Sequence, residues 1–302
     1  MKRTSTILAL SIACALLIAS VAFAQTIVID HELGTTEVAK NPKRVVVFDF
    51  GALDSLDKLG IDVIATAKQN LPPYLAKYRS EQYANVGSLT EPDFEAINEL
   101  KPDLILISGR QSTHYPELSR IAPTVYVGVN TSDYVGSFKK NMATLGAIFG
   151  KEEAVSQALA EIDAAIADVR ERALGNTALI ALVTGGKANT YGPGSRFGFV
   201  YDVLGFTPVD QNIVSSTHGQ NISWEYFLVY DPDYILVIDR DAAVGSDGAS
   251  PAKQVVENAL VKETKAYKNG RIAYLDPYYW YLSGGGLTSF AKMIEDIQAI
   301  LR

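Results

Sequence analysis

The stretch that most constrains the fold is Lys151–Leu174, near the middle of the chain. It contains neither Gly nor Pro, and its apolar residues recur at the three- and four-residue spacing of one helix face. Acidic residues stand near its start and basic residues near its end, the order that the helix dipole favours, and Gly175 follows as a stop signal. At roughly 1.5 Å per residue this helix is as long as a small domain is wide. We therefore predict a rigid linking helix over residues 151–175, with one lobe on either side.

The first 24 residues have the composition of a secretory signal peptide. Lys2 and Arg3 precede an apolar run, and Ala22–Ala24 supplies the small residues of a cleavage site. Cys14 lies inside the apolar run rather than at its end, so we do not expect a lipid anchor. Because Cys14 is the only cysteine, the mature chain would have no disulfide and would be stabilised by its cores. These features predict export to a bacterial periplasm.

The charge balance of the chain is acidic. There are 27 Lys and Arg against 34 Asp and Glu, a formal net charge of −7, and cleavage of the basic leader would make the chain still more negative. This balance disfavours a surface for nucleic acid or anionic lipid. Beyond the leader there is no apolar run of the roughly 18 residues that a membrane span needs. We expect a monomer with neither nucleic acid nor a membrane as its ligand.

Short apolar segments alternate with helical patterns on both sides of the linking helix. The predicted strands include Arg44–Phe48, Asp62–Thr66, Asp103–Ser108, Ala178–Thr184 and Tyr234–Asp239. Strands that alternate with helices form parallel sheets covered on both faces. The predicted class is α/β, with two Rossmann-like lobes that have parallel-rich sheets and are joined by one long helix. The first lobe would comprise residues 25–150 and the second residues 176–302.

One segment occurs twice, once in each predicted lobe. Phe94–Arg110 and Trp224–Arg240 share a plan of helix, Pro-Asp and strand. In each copy a Glu precedes the Pro by seven residues and an Arg follows the Pro by eight. The Glu and Arg of the two copies are Glu95 with Arg110 and Glu225 with Arg240. Because both charged positions match as well as the pattern, we interpret the lobes as internally related.

Three arginines are candidate ligand-binding residues. Arg110 and Arg240 each follow a strand, and open α/β sheets bind ligands beyond the carboxyl ends of their strands. The alternative is that both are ordinary solvated arginines. Arg196 lies in the Gly-rich loop Gly192–Gly198, which opens a helix and can bring N–H groups to an anion. Three guanidinium groups in one cleft would favour a strongly anionic ligand with flat surfaces, because arginine stacks on rings as well as pairing with oxygens.

Histidines and tyrosines near the predicted cleft offer hard donor atoms. His218 lies in a polar loop before the second copy of the repeat, and His114 follows the first-lobe arginine. The aromatic run Asp276–Gly286 comes directly after a predicted strand and contains Tyr279 and Tyr281. A phenol beside a histidine is a donor pair suited to ferric iron. The sequence leaves open which of the two tyrosines faces the cleft and whether His114 lines it.

Taken together, these features resemble the periplasmic binding proteins of iron–siderophore and cobalamin importers. The resemblance rests on the export signal, the Asn41–Val45 opening, the paired Glu and Pro-Asp segments and the single mid-chain helix, and it covers essentially all of the mature chain. Four motifs are similar to those of the CeuE-type proteins that bind ferric catecholate siderophores. These motifs are Gly194–Gly198, Ser216–Gly219, Ile238–Arg240 and Tyr279–Gly286.

The resemblance implies a binding protein of an ABC importer for iron, of the class III type with a helical backbone between its lobes. Such a protein would capture a ferric catecholate siderophore, such as enterobactin, in the cleft between the lobes and deliver it to the inner-membrane permease. Arg110, Arg196 and Arg240 would surround the catecholate oxygens. No intrinsic cofactor is implied, because the iron arrives within the siderophore complex.

The resemblance also implies roles for the histidine, the tyrosines and the repeated glutamates. When a siderophore offers iron only four donors, His218 and Tyr279 would ligate Fe(III) directly, with Tyr281 as the alternative phenol. Glu95 and Glu225 would form salt bridges with arginines of the permease. From spacing alone, the same glutamates would equally suit a solvated helix face.

Two other functions are alternatives. A haem-binding periplasmic protein of the same fold would also use Tyr and His, but it would need a broad apolar slot and fewer arginines. A periplasmic hydrolase would need a nucleophile, and the mature sequence has neither a cysteine nor a Gly-x-Ser-x-Gly elbow. Asp239, Asp241 and His218 could form an acid–base set, but no nucleophile is identifiable beside them. We therefore predict a binding protein rather than an enzyme.

Overall fold

The first half of the chain forms a parallel sheet preceded by a hairpin. The computed structural model describes residues 25–213, 216, 218–246 and 248–301, so the predicted leader lies outside the described residues. Strands β1 (Thr26–His31) and β2 (Gly34–Ala39) pair antiparallel, as the turn at Gly34 predicts. The sheet strands are β3 (Val45–Val47), β4 (Ala65–Thr66), β5 (Ala84–Asn85), β6 (Leu104–Ile107) and β7 (Thr124–Tyr126). Their order is β5-β4-β3-β6-β7, and every pair is parallel.

Helices connect these strands and cover the sheet. They are α1 (Phe50–Lys58), α2 (Phe94–Leu100), α3 (Tyr115–Ile121) and α4 (Tyr134–Phe149), with 3-10 turns at Pro73–Arg79, Gly109–His114 and Thr131–Asp133. Each of β3 and β6 is wholly buried, because a parallel sheet covered on both faces has no solvated side. The apolar runs from which these strands were predicted therefore correspond to the centre of the sheet.

The predicted linking helix is α5 (Glu152–Ala173), a helix of 22 residues. Val155, Ile162, Val169 and Ala173 are buried along one side of it, at the spacing that one helix face requires. The helix packs against α4 and against the C-terminal helix. It is followed by Gly175, whose φ of +82° suits a residue without a side chain.

The second half contains a mixed sheet. Its strands are β8 (Thr177–Thr184), β9 (Lys187–Thr190), β10 (Thr207–Pro208), β11 (Gln220–Ile222), β12 (Tyr234–Asp239) and β13 (Ile272–Leu275). The order is β11-β9-β8-β12-β13, with β10 beside the start of β8. The pairs of β8, β10, β12 and β13 are parallel, whereas β9 runs antiparallel to β8 and to β11. Gly185 and Gly186, both at positive φ, form the two-residue turn between β8 and β9, a hairpin that is absent from the predicted elements.

The helices of this half are mostly short. They are α6 (Phe199–Asp202), α7 (Trp224–Tyr230), α8 (Arg240–Val244), α9 (Ala252–Val256), α10 (Lys265–Lys268) and α11 (Leu287–Ile300), with a 3-10 turn at Val261–Glu263 and a π-helical turn at Tyr278–Leu282. Two parallel-rich sheets with helices, joined by one long helix, confirm the predicted α/β class. Among the described residues, no helix is long and apolar enough to cross a bilayer.

The predicted repeat has the same backbone course in both halves. Helices α2 and α7 each have seven residues and end at a left-handed residue, Lys101 or Asp231. In the first copy the carboxylate of Asp103 accepts hydrogen bonds from the backbone N–H groups of the two residues before β3, both at 2.8 Å. In the second, Asp233 accepts from the backbone N and the hydroxyl of Thr177, at 2.8 and 2.7 Å. Each Asp thus joins its strand to the entry of a neighbouring central strand.

The two halves also meet at a second place, where α11 begins. Ser289 N donates to Asp54 of α1 at 2.7 Å, and Leu287 N donates to the hydroxyl of Ser55 at 3.0 Å. A Cβ on Gly51 would lie 2.8 Å from the backbone of Gly285, so the two segments can approach this closely only without a side chain there. The two halves are therefore connected by these contacts as well as by the single helix that the sequence predicts.

Candidate functional site

A cavity of about 630 Å³ is lined by residues from both halves of the chain. Its polar lining includes Asp49, Ser108, Arg110, Tyr126, Arg196 and Tyr281. Asp49 follows β3, Arg110 follows β6, and Tyr126 ends β7, so the first half contributes the carboxyl ends of three neighbouring strands. This is the edge at which open α/β sheets bind ligands.

The three predicted arginines meet at Tyr281. Arg110 Nη2 and Arg196 Nη2 both donate to the backbone oxygen of Tyr281, at 3.1 and 2.6 Å. Arg240 Nε donates to the phenol oxygen of the same residue at 2.9 Å, although Arg240, unlike Arg110 and Arg196, is not among the cavity-lining residues. Arg196 also stacks on the Tyr281 ring, with its guanidinium carbon 4.2 Å from the ring centroid. The structure thus brings together guanidinium groups that are 44 residues or more apart in the chain.

The positive charge of this cluster is only partly compensated. Of the ion pairs within 4 Å among the described residues, none involves Arg110 or Arg196, and Arg240 lies 3.9 Å from Asp241. Burial lowers the pKa of Arg110, and the neighbouring charge of Arg196 lowers it further, against the opposite effect of Asp49. Arginine remains charged even when its pKa is lowered, so Arg110 is a partly buried cation that lacks a sufficient counterion.

The pKa of Tyr281 is lowered by the same cluster. Burial by itself would raise it, but the hydrogen bond from Arg240 and the charges of Arg196 and Arg240 outweigh burial. The phenolate form of Tyr281 is therefore more accessible than that of an ordinary tyrosine. A phenolate is a hard anionic donor that suits ferric iron.

The loop that carries Arg196 is held by its own contacts. Gly194 N donates to Asp202 at 2.7 Å, so this N–H already has an acceptor. A Cβ on Gly198 would lie 2.7 Å from Gly194 N, which explains why glycine is needed where the loop folds back on itself. An anion at this loop would therefore be bound by the Arg196 side chain more than by the N–H of Gly194.

The structure separates the two candidate tyrosines. Tyr281 lines the cavity, whereas the Tyr279 ring lies 4.8 Å from the ring of Tyr74, and Tyr279 is not among the cavity-lining residues. Burial raises the pKa of Tyr279, and Asp276 adds to the effect. The phenol that the arginines surround is thus that of Tyr281, and Tyr279 has an environment that opposes ionisation.

The two candidate histidines do not line the cavity. Ser216 does, but His218 of the same loop is exposed, and Ser215 and Thr217 lie outside the described residues. The rings of His114 and Phe94 form a T-shaped pair, with the centroids 5.7 Å apart. In the part of the chain that the structure describes, no group of three His, Cys, Asp or Glu residues could hold a metal ion.

The two repeated glutamates lie at matching exposed positions. Glu95 is the second residue of α2, and Glu225 is the second residue of α7. Hydrogen bonds from its own backbone N–H and from Ser223 lower the pKa of Glu225. Each helix precedes a parallel strand and runs back against it, so its first residues lie near the carboxyl ends of the strands. The glutamates are therefore on the same side of the sheets as the cavity.

Several cavity residues were not predicted from the sequence. Asp49 and Tyr126 each follow or end a parallel strand, so the strand-end rule that identified Arg110 could have identified them too. Trp280 and Tyr134 line the cavity from the aromatic core, where Tyr134 stacks on Phe199 at 4.7 Å. No local pattern distinguishes such residues from ordinary core aromatics.

Comparison with known proteins gives consistent matches over nearly the whole chain. A family model described as periplasmic binding protein matches residues 45–279. The petrobactin-binding protein YclQ of Bacillus subtilis is 52% identical over 280 residues, covering 91% of this chain and 88% of YclQ. The YclQ crystal structure superposes with a TM-score of 0.89 and covers 92% of this chain and 99% of that one.

Two further relatives come from Vibrio species. The ferric-anguibactin-binding protein FatB of Vibrio anguillarum is 35% identical, covering 90% of this chain and 86% of FatB. The crystal structure of the periplasmic catecholate-siderophore binding protein VctP from Vibrio cholerae has a TM-score of 0.88 at 40% identity. That match covers 91% of this chain and 100% of VctP.

Proposed function

The chain belongs to the periplasmic binding protein family, and from this premise we propose that it captures a ferric catecholate siderophore and delivers it to the permease of an ABC importer. Family membership and the similarity to siderophore-binding proteins confirm the resemblance that the sequence motifs indicate. They also confirm that the chain is a binding protein rather than an enzyme, which removes the hydrolase alternative.

The observation that carries the proposal is the convergence of three guanidinium groups on one residue. Arg110, Arg196 and Arg240 reach Tyr281 from three separate loops. Desolvated cations without sufficient counterions favour binding of an anion, because the anion returns the charge compensation that burial removed. A ferric tris-catecholate is a trianion with flat aromatic faces, so both its charge and its shape match this cluster.

The cavity has the size and chemistry that such a ligand needs. A volume of about 630 Å³ lies within the range of small-molecule sites. Each guanidinium has five N–H donors, so Arg110 and Arg196, which line the cavity, keep donors for catecholate oxygens beyond their bonds to Tyr281. Phe197 and Trp280 supply apolar wall beside these donors. The ligand would lie between the predicted lobes, residues 25–150 and 176–302.

The relatives support the ligand class. YclQ is named for petrobactin, FatB for ferric anguibactin and VctP for catecholate siderophores. Haem remains the competing ligand for this fold, but a haem site would have less use for three arginines that share one acceptor residue.

Tyr281 is the better candidate for direct ligation of iron when the siderophore supplies only four donors. Its pKa is already lowered by Arg240 and Arg196, so less free energy is needed to remove the proton before iron binds. His218 would complete the coordination from the loop whose Ser216 lines the cavity. The protein would act as a monomer in the periplasm, and Glu95 and Glu225 would contact the permease.

The proposal is tested by titrating the protein with ferric catecholates while following Tyr and Trp fluorescence. We expect strong quenching by a ferric catecholate, weak quenching by haemin and cobalamin, and loss of the catecholate response in Arg196→Gln. Arg120→Gln is the matched control, because Arg120 is exposed on α3 and does not line the cavity. Quenching by haemin alone, or equal responses of the two variants, would overturn the proposal.

A further inference from the structure

The two repeated helices share their buried side but differ on their outer side. The fourth residue of each helix is apolar and fully buried, Ile97 in α2 and Phe227 in α7. The second residue is an exposed Glu in both. The fifth and sixth residues are Asn98 and Glu99 in the first half, but Leu228 and Val229 in the second.

The differing residues lie on the same helix face as the glutamate. Leu228 and Val229 follow Glu225 by three and four residues, the spacing that places side chains together on one side of a helix. Leu228 is 38% exposed and Val229 is 76% exposed. In α2 the corresponding Asn98 and Glu99 are also exposed, and they are polar. Each glutamate thus stands beside an exposed pair, which is apolar in one half and polar in the other.

The core does not account for the apolar pair. Phe227 already fills the inward side of α7, and the ring of Trp224 stacks on it at 5.4 Å. Tyr226 donates to Asp210 at 2.6 Å, which fixes the flank of the helix. The fold therefore holds α7 without Leu228 and Val229, and exposed apolar side chains next to a charged one are typical of a surface that a partner covers.

We infer that Glu225, Leu228 and Val229 form an asymmetric docking surface for the importer permease, an inference that rests on the proposed function. The occupant is the permease because the helix starts lie at the same sheet edge as the cavity, so a partner that covers both glutamates also faces the cavity mouth. The permease would present a cation beside an apolar side chain to α7, and polar groups alone to α2. The loaded protein would therefore dock in one of its two pseudo-equivalent orientations.

The test exchanges the exposed pairs between the two helices. Leu228→Asn with Val229→Glu gives α7 the outer residues of α2, and Asn98→Leu with Glu99→Val makes the reverse change. Binding of the siderophore-loaded protein to permease in nanodiscs should weaken about tenfold or more for the first variant, since a buried Leu or Val side chain is worth enough for that factor. Siderophore affinity, measured by quenching, should not change. Leu174→Asn is the control, because Leu174 is 62% exposed at the end of α5.

The outcomes separate this inference from the proposed function. If Glu95→Arg with Glu225→Arg abolishes permease binding while the exchange of Leu228 and Val229 has no effect, the docking role stands and the asymmetry is wrong. If the charge reversal also has no effect, permease docking at this face is wrong. If sedimentation shows a dimer that the exchange dissociates, the apolar pair contacts a second copy and the inference is overturned.

Discussion

Arg110 and Arg240 occupy equivalent positions in the two halves, yet their surroundings differ. Arg110 is partly buried beside Arg196, and burial together with that charge lowers its pKa. Arg240 is 37% exposed and contacts the Tyr281 phenol, Thr184 at 3.3 Å and Asp241 at 3.9 Å. The repeat therefore determines where the two backbones lie. The loops that do not repeat determine how far each arginine is buried and how well its charge is compensated.

The two sheets show the same distinction. In both halves an Asp after the Pro accepts hydrogen bonds at the entry of a central strand, so the repeated segment is built alike. Only the second sheet has an antiparallel edge, formed by β9 and β11. The loops next to these two strands contain Arg196 and Ser216, which both line the cavity, so the unrepeated edge positions part of the candidate site.

The largest expected effect concerns Asp54, through which the first half holds the start of α11. Burial raises the pKa of Asp54 to about 6, against the hydrogen bonds from residues 288 and 289 that lower it. The folded protein thus binds this proton more readily than the unfolded chain, whose Asp has a pKa of about 3.9. The contribution to the free energy of unfolding is therefore fully present below pH 4 and is lost, by about 3 kcal/mol in total, as the pH rises through about 6.

Asp54→Asn should remove this fall, because the amide does not titrate. Urea denaturation at a series of pH values measures the difference, with Ser55→Ala as the control that keeps the carboxylate. The same pH dependence in Asp54→Asn and in the unmodified protein would contradict a role for this carboxylate at the joint.

The next largest effect is a difference between Arg110 and Arg240 in their contribution to ligand affinity. Arg110→Gln should weaken binding of a ferric catecholate about 100-fold and Arg240→Gln about tenfold, because a contact to the more desolvated charge is worth more. Arg110→Gln should also raise the stability of the ligand-free protein, since it removes a poorly compensated cation. Fluorescence titration and urea denaturation give the two quantities. Equal losses of affinity would mean that the repeat, and not the local surroundings, determines the contribution of each arginine.

A smaller effect tests whether Asp103 and Asp233 contribute equally to the free energy of unfolding. Asp103→Ala and Asp233→Ala should each lower the free energy of unfolding by about 1–2 kcal/mol, because each leaves donors at a strand entry without an acceptor. Burial alone would raise the pKa of Asp233, but the bonds from Thr177 and Lys265 outweigh it and lower the pKa. Its contribution should therefore be present above pH 4 and decline as the pH falls below that value. A loss in one variant alone would show that the repeat is not structurally equivalent.

The smallest effect compares Tyr281 with Tyr279. Tyr281→Phe should weaken binding of a hexadentate complex about fivefold, because Arg240 loses its phenol acceptor. The same change should weaken a tetradentate complex more, since the phenolate would then be absent from the iron. Tyr279→Phe is the matched control and should change neither affinity, because its ring packs on Tyr74. Equal losses of the two complexes in Tyr281→Phe would refute direct ligation.

Much of the fold follows from local pattern. The linking helix and the buried strands were predictable because periodicity and apolar runs are properties of neighbouring residues. The three arginines were predictable because the strand-end rule and a Gly-rich loop point to them. The hairpin of β8 and β9 was missed, although Gly185-Gly186 is the kind of two-residue turn that joins antiparallel strands.

The choice between Tyr279 and Tyr281 was made by the tertiary structure. Residues two positions apart in a helical turn point in different directions, and here Tyr281 lines the cavity whereas Tyr279 packs on Tyr74. Which one does so depends on the π-helical turn at Tyr278–Leu282 and on how the following segment is held by α1. Neither feature has a local signature.

By itself the sequence determined the linking helix, the buried strands and the repeat, and it identified the three arginines as candidates, because each depends on residue types at short, regular spacing. Only the tertiary structure decided that those arginines share one acceptor residue, that Asp54 is buried at the joint and that Leu228 and Val229 stay exposed. These properties arise from contacts between segments far apart in the chain, whose free energies depend on burial and neighbouring charge that no short stretch of sequence contains.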